Sequence, residues 1–362
     1  MPVSHLRVTL IGACAILISA SCALAADPYY KGKRLSIMVN YAAGGPTDIE
    51  GRLFARHIAR HLEGQPSIIV QNIDGAGGLT GTTWLGEIAP KDGTAMGYLT
   101  GAAWLYASEP ERHRADFRSY EFVAYQPGTS IYYVRTDVQP GMREATDIMK
   151  AKGLVSGGLA ADNSKDLLMR LALDMLGVSY RHVTGYRSNN TARMALQQNE
   201  INFFSESPPG YRSVVEPNLV KNGMVIPVHY DPGWNGESIV VPKPVEGLTV
   251  QPFHELYRKL KGAPPSGQLW DVYLAMLAIN SAMQRLLVLP PTTPQPALDA
   301  LQTAVVRLNG DKAFADDAQK TIGFVPEYVA GAQVNRQVRQ ALVVRPEIKA
   351  FVADYIKSAQ KR

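Results

Sequence analysis

Short apolar, β-prone runs alternate with longer stretches of helical periodicity over the first two-thirds of the chain. "LSIMVN" (35–40) predicts a buried strand. It leads into a stretch at 47–63 where Leu53, Phe54, Ile58 and Leu62 recur at helical spacing. "SIIVQN" (67–72), "LTGTTWLGEIA" (79–89) and "AMGYLT" (95–100) continue the alternation, giving βαβαβ order and a parallel sheet with helical crossovers. A second run repeats it: "LVSGGL" (154–159), a helix over 164–176, "YRHVT" (180–184), a helix over 190–198 and "INFF" (201–204). "EFVAYQ" and "IYYVR" (121–135) predict strands crossing between the two units, and "GMVIPVHY" (223–230) a return crossing. From about 251 the pattern is mainly helical, broken by "GAPPSG" (262–267) and "PPTTP" (290–294). Open α/β sheets hold ligands beyond the carboxyl ends of their strands, so two such units joined by crossing strands place a cleft between two lobes.

The strand-end turns carry the candidate chemistry. In "NYAAGGPTDIEGR" (40–52), Gly44 and Gly45 supply a sharp turn and Pro46 suits the first helical position. Asp48 then falls in the first turn. There it serves as a cap, while the remaining free N–H groups are available to an oxyanion. "NIDGAGGLTG" (72–81) is a second glycine-rich turn at a helix start. It suits a tight structural turn or a small-anion cradle better than a nucleotide, because the next strand ends in Leu99, Thr100 and Gly101 without an acid for a ribose. The opposite unit offers "GLAADNSKD" (158–166), "TGYRSNN" (184–190) and "SESPPG" (205–210). Asn163 and Ser164 are good helix caps there. Arg187 is the candidate to pair with a carboxylate, or else a solvated surface arginine.

Composition narrows the class. The first 25 residues predict a cleaved signal peptide: "MPVSHLR", an apolar "VTLIGACAILI" too short to span a bilayer, and "ALA" before a cut after Ala25. The alternative is a lipid anchor at Cys22. Both cysteines, Cys14 and Cys22, lie in this segment, so the exported chain has no disulfide, thiol nucleophile or thiolate metal site. Loss of Arg7 lowers Lys+Arg from 37 to 36 against 32 acids, a net charge of about +4. With no dense basic block, nucleic acid is not an expected partner. His57 and His61 share a helix face but lack further ligands, and no metal or cofactor is expected. Neither G-x-S-x-G nor H-E-x-x-H occurs, so no catalytic residue is nominated. Trp104 and Trp234 follow predicted strands and either cover a ligand or pack inside.

Taken in order, "YAAGGPTDIEGRLFARHIARHL" and "SIIVQNIDGAGGLTGTTWLGEIAPKDG" closely resemble the receptors of tripartite tricarboxylate transporters, the Bug (TctC-like) proteins. A looser match continues through "VTGYRSNNTARMALQQNEINFF" and fades after about 240. The resemblance implies a monomeric, periplasmic, non-enzymatic binding protein of Venus-flytrap form, each lobe a mainly parallel sheet flanked by helices. Its ligand is a small mono- or dicarboxylate, and its partners are membrane permease subunits. Service to a sensor kinase, or an enzyme acting on a dicarboxylate, are the alternatives. Lobe 1 is expected from 26–130 and 236–362, and lobe 2 from 131–235. Carried over residue by residue, the ligand contacts are Ala43, Gly44, Thr47 and Asp48, then Gly75, Ala76 and Gly77, then Asp162, Asn163 and Ser164. Tyr41, Arg187 and Ser205 complete the expected set. Asn40-Tyr41-Ala42 stands where the family has a proline-containing approach, and "KDG" where it has "PDG".

Overall fold

The computed structural model describes residues 27–234 and 237–359. The segment expected to be a signal peptide, with both cysteines, lies outside them. Chain order begins β1 (Arg34–Val39), α1 (Pro46–Ile58), β2 (Ser67–Asn72), α2 (Leu79–Glu87), β3 (Ala95–Leu99), α3 (Ala102–Ser108) and β4 (Glu121–Gln126). The second unit follows: β5 (Ile131–Arg135), β6 (Leu154–Gly157), α4 (Ser164–Leu176), β7 (Tyr180–Val183), α5 (Asn189–Gln197), β8 (Phe203–Glu206), α6 (Pro208–Gly210) and β9 (Val225–Tyr230). The remainder is a small hairpin of β10 (Gly233–Trp234) and β11 (Ile239–Val240), then α7 (Phe253–Lys261), α8 (Gln268–Asn280), β12 (Arg285–Leu289), α9 (Gln295–Asn309), α10 (Lys312–Ile322), β13 (Val329–Ala330), α11 (Val334–Ala341) and α12 (Pro346–Ala359).

Two sheets result, ordered β13-β4-β12-β3-β1-β2 and β7-β6-β8-β5-β9. Their βαβ cores are parallel, as the alternating pattern predicts: β1 pairs with β2 and β3, and β6 with β7 and β8. The crossing strand β5 joins β8 and β9 in antiparallel pairs, and β12 joins β3 and β4 likewise, so each sheet is mixed. β12 also corrects the mainly helical reading of the tail. "RLLVL" returns from the far end of the chain to the middle of the first sheet, every residue buried. The tail is shared between the units. α9 packs on α1 and β4 and α10 on α1, whereas α7 and α8 pack on α4.

The apolar stripe of α1 does what its spacing predicts. Leu53, Phe54, Ile58 and Leu62 are at most 1% exposed and meet Val39, Tyr98, Leu287 and Leu301 in one core. His57 and His61 flank it and reach Asp317 and Asp311 by Nε2, at 2.7 and 2.6 Å, tying α1 to the α10 region. Trp104 is interior packing in the other large cluster, and the half-buried Trp234 packs against that cluster. No helix among the described residues is long and apolar enough to cross a membrane.

Where the crossing strands run side by side, Asp231 holds them together. Its N–H donates to the Ser130 carbonyl, while its carboxylate accepts from Tyr132 on β5 at 2.8 Å and Tyr273 on α8 at 2.5 Å. Burial pushes this carboxyl up to about 7 against those two hydrogen bonds.

Candidate functional site

Three helices start at one cavity between the two sheets. α1 begins with Gly45 at its cap and Pro46 at its first position, and its first backbone bond is Ile49 N–H to Gly45 C=O. The N–H groups of Thr47 and Asp48 therefore lack intrahelical acceptors. α4 begins at Asn163, whose side chain accepts from Lys165 N–H at 3.1 Å. α5 begins at Ser188, which forms a capping box with Thr191. Residues from all three starts line the cavity: Gly45, Pro46 and Thr47; Asn163, Ser164 and Lys165; Ser188 and Asn189. The positive ends of these helices come from both units.

Two cations add to this field. Arg285, 1% exposed at the start of β12, donates from Nε to Glu50, from one terminal nitrogen to Thr100 Oγ1 at 3.0 Å, and from the other to Ser207 Oγ at 3.1 Å. Gln126 also donates to Glu50, at 3.1 Å. Burial raises the Glu50 carboxyl above its usual range, against the pull of Arg285. Lys165 Nζ lies 3.2 Å from Asp166 and 3.3 Å from the Ser205 carbonyl, over the Phe204 ring. Among the described residues, no Asp or Glu lines the cavity. Such a chamber can hold an anion by N–H groups, hydroxyls and cations together.

Of the expected contacts, Tyr41, Thr47, Asn163 and Ser164 line the cavity. Tyr41 bridges the cleft: its hydroxyl donates to the Gly77 carbonyl at 2.7 Å and accepts from Asn163 Nδ2 at 3.1 Å. Ser164 donates across to Asn280 at 2.7 Å. Ala43, Gly44, Asp48, Gly75, Ala76, Gly77, Asp162, Arg187 and Ser205 stand outside its lining.

Several of these nine have other partners. Asp48 accepts from Gly44 N–H at 2.8 Å, Arg52 Nε at 2.9 Å and Asn72 Nδ2 at 2.9 Å, so it braces the turn ahead of α1. Burial opposes its charge, yet these donors hold its carboxyl below the usual value. Arg187 pairs with Asp74 across the cleft rim at 3.2 Å with its side chain 82% exposed, and Asp162 pairs with Arg112. Gly77 lies where an added Cβ would sit 3.4 Å from Ala160 of the other unit. Gly44 meets Asn190 even more closely. Ser205 is buried on β8 beneath Lys165, presenting its carbonyl.

The sequence reading missed Arg285, Lys165, Gln284, Asn280, Thr100 and Ser130 as individual contacts. Lys165 sits inside a loop it named. Arg285, Gln284 and Asn280 come from the tail, where one charged residue ahead of an apolar run was the sole signal.

No protein-family model matches the chain. A UPF0065 protein in the TAR-I ttuE-ttuC' intergenic region of Agrobacterium vitis is 31% identical over 158 residues, which is 42% of this chain and 44% of that protein. The match thus spans less than half of the relative's length. Among solved structures, the periplasmic binding protein BugD superposes with a TM-score of 0.65 at 18% identity, covering 91% of this chain and 99% of BugD. MatC (Rpa3494) from Rhodopseudomonas palustris with bound malate gives 0.63 at 16% identity, covering 90% and 99%. The chain is therefore a homologue of the Agrobacterium UPF0065 protein over that segment, and its two-lobed fold is that of the periplasmic binding protein BugD and of MatC.

Proposed function

We propose that this chain is a periplasmic solute-binding protein that captures a small mono- or dicarboxylate in the interlobe cavity. Handing the ligand to the membrane permease of a tripartite tricarboxylate-type transporter would complete the task. One observation carries the reading: three helix starts from both lobes, with Arg285 and Lys165, surround a cavity that no acid among the described residues lines. Malate in the MatC structure, on the same fold, supports the carboxylate class. The lobes are taken as 26–130 with the returning tail and 131–235. Tyr41–Asn163, Asp74–Arg187 and Arg112–Asp162 then form only when the cleft closes. Ligand would favour the closed form through its differential affinity for it.

The test is native mass spectrometry of the protein as purified from the periplasm, followed by X-ray scattering of stripped and reloaded samples. A bound organic acid, and compaction when that acid is restored, are expected. A neutral or cationic ligand, or one unchanged shape, would sink the proposal.

A further inference from the structure

Resting on the carboxylate reading above, the cavity's size and charge balance go further, and we infer that its ligand is a compact hydroxy- or oxo-monocarboxylate, not a di- or tricarboxylate. The first observation is space. The cavity leaves about 50 Å³ for the centres of water-sized molecules. At roughly 10–15 Å³ for each such position, that is room for about four, which limits the ligand to a short-chain acid and leaves the number of carboxylates to be decided by charge.

The second observation is charge. Each cation on the lining already faces its own carboxylate from behind: Arg285 donates to Glu50, and Lys165 lies beside Asp166. Gln126 donates to the other oxygen of the same Glu50 carboxyl. The two pairs leave the chamber close to neutral, with the helix starts as its uncompensated positive potential. One carboxylate is satisfied by those N–H groups, with the Arg285 guanidinium on the wall beside it. A second would be buried with no cation of its own, which is unfavourable in a water-poor site.

The third observation is the rest of the wall. Ser130, Asn189, Asn280 and Gln284 offer neutral donors and acceptors, while Ala42 and Leu159 are apolar. That set suits one hydroxyl or oxo group on a short carbon skeleton.

The experiment is calorimetric titration of the full exported chain, stripped by unfolding and refolding, in a buffer free of carboxylates. The probes are glycolate, lactate and pyruvate against succinate, malate and citrate. The best monocarboxylate should bind at least about tenfold more tightly than any of the other three. Succinate, malate or citrate binding as tightly as the best monocarboxylate would overturn this inference and leave the carboxylate reading standing. Binding of none of the six acids, with the refolded protein native by circular dichroism, would overturn both.

Discussion

Tyr41→Phe removes one oxygen atom at the seam between the lobes. That hydroxyl makes two bonds of different kinds. The donation to Gly77 C=O, 2.7 Å, stays within one lobe and survives opening of the cleft. The bond from Asn163 Nδ2, 3.1 Å, crosses the cleft and, under the closure proposed above, exists only in the closed form. In the open form both Gly77 and Asn163 turn to water, so the variant loses little there. In the closed form the crossing bond disappears and the Gly77 carbonyl faces a ring edge. A net hydrogen bond is worth about 1 kcal/mol, and leaving a half-buried partner unsatisfied adds about as much again. Closure should therefore weaken by about 1–2 kcal/mol, and affinity by roughly 5- to 30-fold if binding draws on closure. Calorimetric titration with the co-purifying acid measures this, with thermal unfolding of the ligand-free variant as control. Affinity within about twofold of wild type, with a native melting curve, would show that the Tyr41–Asn163 contact is not part of the closed, ligand-holding form.

Two further outcomes follow from buried carboxylates. Asp231 has its carboxyl raised to about 7 by burial, so the folded state keeps a proton that the unfolded state has released above about pH 4. Its stabilising contribution is complete below pH 4 and is lost as pH rises through 7, on the order of 4 kcal/mol in all. Asp231→Asn should flatten that slope, read from urea midpoints at pH 4.5 and 7.5; equal slopes in both proteins would refute the assignment. Asp48 is the opposite case: its depressed carboxyl stabilises the fold above the ordinary aspartate range and loses that effect as pH falls below it. Asp48→Asn should cost about 1–2 kcal/mol at neutral pH while leaving ligand affinity within about threefold, because its three donors lie outside the cavity lining. A tenfold loss of affinity in a stable variant would give Asp48 a direct part in holding the ligand.

Local chemistry made much of this protein legible from sequence. The stripe Leu53, Phe54, Ile58 and Leu62 declares both a helix and its buried face, because periodicity is a property of a few neighbouring turns. Pro46 behind Gly45 and Asn163 ahead of Ser164 announce helix starts for the same reason: a cap is made by residues within four positions of each other, as the structure also shows for Ser188 with Thr191. The alternation of those starts with short strands predicts the two parallel cores and a cleft between them. Charge placement behaved differently. Arg187 and Asp48 have the right residue types in the right loops, yet Arg187 meets Asp74 and Asp48 meets Arg52, outside the cavity lining. Arg285 reaches the cavity only because β12 returns across some 185 residues to lie between β3 and β4, beside Thr100. Glu50, on the inward face of α1, meets that guanidinium by the same return. Pairing over such distances depends on which strand the sheet accepts next, an outcome of packing that no local window of sequence contains. The sequence by itself therefore determined helix starts that face the cavity, and the tertiary structure decided which charges stand behind them.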